Sequence, residues 1–516
     1  MFHNHETRGE MEAYLTFLSL TRCIPSSCSE EDLTNSLTYF LSNNNFTASF
    51  NIKNCHVGGE EIPLDSADWA MITIIAIIGL LLAIGTFIDL TIKCLHADVY
   101  PEKLVQIFQG FSVYTNTVKL FDTSNVRPDS LTSINGIRFL SMTWVLFSHG
   151  YANFQGNLPV TNLFDVFDPT GVIYGNLAFQ AILNGFPSVD SFFFIGSTLL
   201  AYITLKELEK QKGGNAKFWT MFYVHRYIRL TGAFAIMIGL TATLLRQFAT
   251  GPQSYFVDNE VYACQQSWWI DLLYVNNIWP LWDRTQPMCI GQSWYLANDM
   301  QFFIIAPIFL YALWKSPVIG LSLSFLGLLG GTIAPMVIVG INDFELTVSF
   351  MDMRKNFDSF FEVYFAPWCR FQPYICGIIF GYLLHRMRDT PKLKLNPYHI
   401  IWIWAVMGAI GALVVYGLYG YTEEYMAAGS MITVGSLAAR VAYRGLHRLA
   451  WSICLGWVIL ACTKGAAGPI NSILSWSAWI PLARLSYCIY LVHLVVMAYF
   501  NSIFTFPVAF SHAFAV

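Results

Sequence analysis

The stretch Gly136-Ile-Arg-Phe-Leu-Ser-Met-Thr-Trp-Val-Leu-Phe-Ser-His149-Gly150 has the pattern of a membrane-spanning helix with an arginine near its start and a histidine near its end. Arg138 and His149 are eleven positions apart, so on an α-helix they share one face to within about 20° and lie about 16 Å apart along the axis. Ionisable side chains inside a membrane are costly and usually face the bundle interior or a water-filled cavity. The stretch therefore predicts a membrane bundle with a functional path along this helix.

The composition of the 516-residue chain is that of a membrane protein. Hydrophobic residues make up 55% of it and charged residues only 12%, against about 25% charged residues in an average soluble protein. The formal net charge is -4, and the basic residues form short clusters between apolar segments. Nucleic-acid binding therefore has no support, and membrane lipids and small molecules are the expected partners.

Apolar segments of spanning length predict an all-α polytopic bundle of about ten transmembrane helices. The predicted organisation is a cysteine-containing N-terminal ectodomain fragment over 1–66, a first transmembrane helix over 67–92, a cytosolic linker over 93–132 and a transmembrane core over 133–516. The predicted spans are 67–92, 133–151, 189–205, 225–246, 294–314, 317–341, 368–385, 398–419, 445–463 and 485–504.

The distribution of lysine and arginine predicts the orientation, because cytoplasmic loops collect these residues. With the N-terminus extracytosolic, the clusters within 206–229 and 386–394 fall on the inner side. The glycosylation sequon Asn45-Phe-Thr47 then falls on the outer side, as glycosylation requires. One group of basic residues falls on the outer side against the rule: Arg440, Arg444 and Arg448. We expect a multi-pass protein of the plasma membrane or endoplasmic reticulum.

The disulfide candidates fall in two groups outside the predicted spans. Cys23, Cys28 and Cys55 precede the first span, and Cys264 and Cys289 flank one long loop. Such loop cysteines indicate an oxidising compartment. The odd number in the first group leaves one thiol for either a bridge to another site or an upstream cysteine that this chain lacks, and we favour the upstream cysteine. No secretory signal opens the chain, so either 67–92 is an uncleaved signal anchor or the true start is missing.

Arg226 and Arg229 are candidate ligand-binding residues. They are three positions apart, so on a helix they are neighbours on one face, near the depth expected for Arg138. Three guanidiniums converging there would suit a polyphosphate, since arginine binds phosphate through paired hydrogen bonds. The alternative is the ordinary basic flank of a membrane helix. A flanking role suits Arg138 less well than the other two, because Arg138 falls inside an apolar turn.

His149 is the candidate general base. Histidine titrates near neutrality and can take the proton from an attacking hydroxyl; the alternative is a satisfied polar residue or an interfacial anchor. His493 has the same two interpretations with weaker support. Asp190, at the predicted outer mouth of the third span, either pairs with His149 and orients its imidazole or caps its own helix, and capping is the more ordinary role.

Taken together, these stretches resemble the acyltransferase 3 superfamily of integral membrane acyltransferases, and more closely its animal nose resistant to fluoxetine branch. The match covers most of the chain. The residues that carry it are Cys23-Ile-Pro-Ser-Ser-Cys28-Ser-Glu-Glu-Asp-Leu33, Phe111-Ser-Val-Tyr-Thr-Asn-Thr117, Gly136-Ile-Arg138 with His149, Val189-Asp190-Ser-Phe-Phe-Phe194, Arg226-Tyr-Ile-Arg229-Leu-Thr231, Cys264 with Trp268-Trp269, and Ser486-Tyr-Cys-Ile-Tyr-Leu-Val-His493.

The resemblance implies that an acyl group moves from a cytosolic acyl-CoA-type donor to a hydroxyl of a lipid or other small acceptor, with no metal. Residue by residue, the family's helix arginine falls on Arg138, its helix histidine on His149 and its paired arginines on Arg226 and Arg229. The arginines would hold the donor phosphates, and His149 would serve the transfer. Asp190 is the second catalytic candidate, as the residue that could orient His149. A carrier of lipids or apolar xenobiotics that uses the same cavity is the alternative, because fold alone does not decide function.

Overall fold

The protein is described by a computed structural model that covers residues 29–43, 62–94, 103–124, 131–156, 160–162, 165–166, 168, 170–249, 251, 254–283, 287–346, 358–390, 392–393, 395–428, 434–504 and 508–512. Cys23, Cys28, Cys55 and the sequon at Asn45 lie outside these residues. Within them, the α-helices are α1 (Glu30–Asn43), α2 (Ser66–Cys94), α3 (Lys103–Gln109), α4 (Val113–Phe121), α5 (Ser133–Gly156), α6 (Gln180–Leu183), α7 (Pro187–Lys210), α8 (Ala216–Ala242), α9 (Leu245–Phe248), α10 (Ser254–Leu272), α11 (Trp279–Trp282), α12 (Trp294–Lys315), α13 (Pro317–Asn342), α14 (Pro367–Arg386), α15 (Pro397–Tyr416), α16 (Tyr419–Ala428), α17 (Leu437–Thr463), α18 (Pro469–Leu474) and α19 (Trp479–Ile503).

Short non-α turns complete the secondary structure. Leu177–Phe179 and Gly291–Ser293 are 3-10 turns, and Phe360–Tyr364 is a π-helical turn. The described residues contain no β-strand; one parallel bridge joins Val160 to Val508. The prediction of an all-α protein is confirmed.

Every predicted span coincides with a long helix. By length and composition, seven of the described helices could cross a membrane, namely α2, α7, α12, α13, α15, α17 and α19. The three remaining predicted spans coincide with α5, α8 and α14, which are long but carry polar residues such as Arg138, Arg226 and Arg370 along their length. The polytopic membrane bundle is therefore established, whereas the number of ten spans stays a prediction.

Helices α7 and α14 pack closely at the centre of the bundle. Gly377 and Gly381 lie one turn apart on α14. A Cβ atom at Gly377 would collide with Ser197 on α7, and one at Gly381 would collide with the Thr198 carbonyl oxygen on the same helix. Small residues at such positions let two membrane helices approach through their backbones. The close approach brings buried polar side chains of the two helices within reach of each other.

The basic cluster that departs from the predicted charge distribution is buried inside the protein. Arg440 donates to Asp343 at 2.7 Å, and Arg444 donates to the Glu345 carbonyl oxygen at 3.0 Å. Arg448 is only 1% exposed and lies one turn further along α17. These guanidiniums bond to protein atoms, so they do not behave as the loop charges on which the orientation rule rests.

The predicted linker over 93–132 contains helices α3 and α4, and α4 is hydrogen-bonded to another helix at each of its ends. Asp89 of α2 accepts hydrogen bonds from Ser112 at 2.7 Å and Thr115 at 2.6 Å, at the start of α4. From the other side, Arg484 of α19 donates to three carbonyl oxygens at the end of α4, those of Lys119, Leu120 and Asp122. Helix α4 therefore ties the first transmembrane helix to the core.

The segment before α12, predicted as one long loop, contains α10 and α11 and is closed by a disulfide between Cys264, within α10, and Cys289, which are 25 positions apart. Cross-linking a loop of this length stabilises a fold by about 3 kcal/mol, chiefly by restricting the unfolded chain. We expect the double replacement Cys264→Ser/Cys289→Ser to lower the thermal unfolding temperature of the detergent-solubilised protein. Cys488→Ser, which removes an exposed free thiol, is the matched control, and an equal effect of both variants would contradict this role.

Candidate active site

A cavity of about 1170 Å³ lies inside the bundle, and Arg138 and His149 both line it. Helices α5, α7, α8, α12 and α19 form its main walls. The sequence left open whether the two side chains of α5 face one cavity or two. The structure shows one cavity, which extends along α5 from the arginine to the histidine.

The arginine end of the cavity is lined by Arg138, Arg226 and Arg229. Arg226 is paired with Asp299 of α12, and its guanidinium lies 4.4 Å from the ring centre of Phe303. Among the described residues, neither Arg138 nor Arg229 has a hydrogen-bond or ion-pair partner. Asp299 neutralises Arg226, and the guanidiniums of Arg138 and Arg229 are available to an anionic ligand that enters the cavity. A second carboxylate, Glu207, and a fourth guanidinium, Arg484, also line the cavity.

Asp299 belongs to this site although the sequence analysis did not single it out. It is the one carboxylate within the predicted span over 294–314. A carboxylate inside a membrane helix normally has a specific partner, so its position was a usable signal. Its partner could not be read from the sequence, because Arg226 is 73 positions away.

At the histidine end, His149 lines the cavity and contacts a second histidine, His493, which does not line it. His149 Nδ1 lies 2.8 Å from His493 Nε2, and the two rings are nearly parallel with centres 5.0 Å apart. His493 lies on α19 and is only 5% exposed. His493 had the weaker support as a catalytic residue, but the structure places it in direct contact with the predicted base, His149.

Asp190 does not reach His149. Its Oδ1 atom accepts a hydrogen bond from Arg370 Nη1 at 2.7 Å, its Oδ2 atom lies 3.9 Å from Arg448 Nε, and both Asp190 and Arg370 are fully buried. Nor does Asp190 cap its helix, because α7 begins at Pro187 with no side-chain capping bond. Asp190 therefore has neither of the two roles considered from the sequence. It is the buried counter-charge of guanidiniums on α14 and α17.

Among the residues that the structure describes, no three His, Cys, Asp or Glu side chains are grouped as metal ligands would be. The cavity presents guanidiniums at one end and the His149 imidazole at the other, and His225 lines it next to Arg226. That combination suits anion binding and proton transfer.

Comparison with known proteins assigns this bundle to a family. A family model described as an acyltransferase domain matches residues 131–516, which include both ends of the cavity. The chain belongs to the acyltransferase 3 family. The match begins just before α5, so the helix that carries Arg138 and His149 is the first helix of the family domain.

Individual relatives in the acyltransferase 3 family come from animals and bacteria. Over 93% of its length the chain is 28% identical to nose resistant to fluoxetine protein 6 of Caenorhabditis elegans, and it covers 60% of that protein. It is 23% identical over 64% of its length to a Staphylococcus aureus protein named "Putative O-acetyltransferase", of which it covers 49%. The chain thus spans about half to three-fifths of the length of these relatives. No solved structure matches it.

Proposed function

We propose that this integral membrane protein transfers an acyl group from a cytosolic acyl-CoA-type donor to a hydroxyl of a lipid or other small acceptor. The observation that carries the proposal is that one cavity is lined by unpaired guanidiniums at one end and by His149 at the other. The family and its O-acetyltransferase-named relative support acyl transfer as the reaction class.

The arginine end supplies the donor site in this proposal. The phosphate groups of an acyl-CoA-type donor would accept charge-assisted hydrogen bonds from Arg138 and Arg229, while Arg226 stays anchored on Asp299. The surplus positive charge favours a polyanion over a neutral molecule. Because cytoplasmic segments collect basic residues, we assign this end of the cavity to the cytosol and the N-terminus to the opposite side.

The histidine end supplies the proton transfer. His149 takes the proton of the acceptor hydroxyl as the oxygen attacks the thioester carbonyl carbon. The carbon–sulfur bond then breaks, and the departing thiolate recovers the proton from the imidazolium and leaves as a thiol. Since Arg138 and His149 are about 16 Å apart along α5, the donor must extend a long flexible arm between them, as the pantetheine arm of coenzyme A would.

The wall near His149 favours an acceptor with an apolar body. Most polar side chains there already bond within the protein, and the hydrogens that they donate are not available to a polyhydroxylated molecule unless those bonds are lost. Examples are Ser148 with the Ile182 carbonyl, Tyr151 with His512, Asn184 with the Val414 carbonyl and Thr422 with the Leu418 carbonyl. The buried Gln180 Oε1 atom has no partner among the described residues and remains available to a single polar group of the acceptor.

Removal of the unpaired guanidiniums tests the donor site. We expect Arg138→Leu and Arg229→Leu each to weaken acetyl-CoA binding by about 10- to 100-fold, because a hydrogen bond to a charged group contributes about 1.5–3 kcal/mol. Binding to the purified protein in detergent can be measured by calorimetry, together with acyl turnover.

Arg386→Leu is the matched control, because Arg386 is exposed at the end of α14 and does not line the cavity. Unchanged acetyl-CoA affinity and turnover in both cavity variants would contradict the enzyme proposal. If the wild-type protein instead moved lipid between vesicles with no acyl donor present, the carrier alternative would take its place.

A further inference from the structure

The contact between the two histidines replaces the carboxylate that commonly orients a catalytic histidine. In a Ser-His-Asp triad, the aspartate accepts the Nδ1–H of the histidine and holds its ring and tautomer. Among the described residues, no carboxylate bonds to His149 or His493, and Asp190 is committed to Arg370. The atom in contact with His149 Nδ1 is His493 Nε2, at 2.8 Å.

For two neutral imidazoles, the hydrogen-bond chain implies the position of each proton. A neutral imidazole has one donor nitrogen and one acceptor nitrogen, and its tautomer is inferred from its partners. His493 Nδ1 lies 2.7 Å from the Tyr490 carbonyl oxygen, which can only accept, so this nitrogen carries the hydrogen. His493 Nε2 is then an acceptor. His149 Nδ1 must donate to it, because two lone pairs at 2.8 Å would repel each other.

We infer that His493 is a positioning residue that holds His149 in the Nδ1–H tautomer and leaves its Nε2 lone pair as the base in the cavity. The inference rests on the proposed acyl transfer. The parallel rings also limit rotation of the His149 imidazole. During the reaction, His149 Nε2 takes the proton of the acceptor hydroxyl and passes it to the departing thiolate, while the Nδ1–H bond to His493 remains in place and no proton moves to His493.

The anchoring of His493 is internal to α19. The accepting carbonyl belongs to Tyr490, one turn earlier in the same helix, and the Tyr490 hydroxyl donates to the Gln292 carbonyl oxygen at 2.5 Å. His493 is therefore held by the backbone on one side and contacts His149 on the other. A side chain with one donor and one acceptor at matching separation could reproduce both bonds, whereas an apolar ring could reproduce neither.

Two substitutions of His493 distinguish a role in orienting His149 from a role in packing alone. His493→Phe keeps an aromatic ring of similar size against His149 but removes both hydrogen bonds, so we expect kcat to fall by about 10- to 100-fold with the donor KM unchanged. His493→Gln has an amide that can accept from His149 and donate to Tyr490, and we expect it to recover most of the loss. A purely structural role predicts the opposite order, because glutamine resembles the ring less than phenylalanine does.

Nitrogen NMR of histidine-labelled protein gives a second measurement that does not need turnover. Comparison of the wild type with His149→Ala assigns the His149 signals, which we expect to show a protonated Nδ1 and an unprotonated Nε2. A protonated Nε2, or wild-type kcat in His493→Phe, would overturn the inference. A wild-type protein with no acyl transfer, together with the expected His149 tautomer, would count against the proposed function and leave the inference about the tautomer intact.

Discussion

Replacing His149 with alanine is expected to lower the acyl-transfer turnover by about 10²- to 10⁴-fold, the range that general acid–base catalysis contributes. The affinity for acetyl-CoA should change little, because the donor's phosphates are assigned to the arginine end, about 16 Å away along α5. Turnover and donor binding can be measured on the same detergent-solubilised preparation. A large loss of kcat with an unchanged dissociation constant would place His149 at the chemical step.

The matched control is His399→Ala, which removes an exposed histidine at the start of α15 that does not line the cavity. We expect this variant to retain wild-type turnover. If both histidine variants turned over at the wild-type rate, the base would have to be another group. If His149→Ala lost donor binding and turnover equally, the separation of the two cavity ends would be contradicted.

The fold could be predicted from the sequence because each span is a local signal. Length and apolar composition identify a membrane helix without knowledge of its neighbours, and the periodicity of a helix places Arg138 and His149 on one face. That face does line one cavity. Helices α5, α8 and α14 are not among the seven that could cross a membrane by length and composition. Two of them, α5 and α8, carry the predicted site arginines, and polar residues that face a cavity lower the hydropathy of their helix.

The partners of the site residues could not be predicted, because they depend on which helices touch. His149 and His493 are 344 positions apart, and Arg370 and Asp190 are 180 apart. In the sequence, Asp190 was an attractive partner for His149 because both were assigned to the outer side. The close packing of α7 on α14 through Gly377 and Gly381 instead brings Asp190 to Arg370, and no single-helix pattern contains that information.

The buried ion pair between Asp190 and Arg370 leads to a prediction about stability. Asp190→Ala should reduce the free energy of unfolding by about 3–5 kcal/mol, because it leaves a guanidinium buried without its counter-charge. A loss of that size is a large fraction of the stability of a typical fold. Thermal unfolding in detergent, followed by the loss of monodisperse protein, would measure it.

An exposed ion pair of equal length provides the control. Arg388 donates to Glu209 at 2.7 Å, as Arg370 does to Asp190, but Glu209 and Arg388 are 44% and 38% exposed. Solvent screens such a pair, so Arg388→Ala, which leaves Glu209 with its other partner His385, should cost only about 0–1 kcal/mol. If the two alanine variants unfolded at the same temperature, burial would not be the source of the effect.

Arg448, which lies near the Asp190–Arg370 pair, predicts which substitution in this buried group lowers the free energy of unfolding more. Arg448 Nε lies 3.9 Å from Asp190 Oδ2, so Asp190 faces two guanidiniums. Arg370→Met removes one cation and leaves Asp190 with Arg448 as a counter-charge, whereas Asp190→Ala leaves both cations without one. The free energy of unfolding should therefore fall less in Arg370→Met than in Asp190→Ala. The reverse order would mean that Arg370 contributes mainly through its contacts with Tyr364 and Trp294, whose ring centres lie 4.1 and 5.1 Å from its guanidinium, and not through its charge.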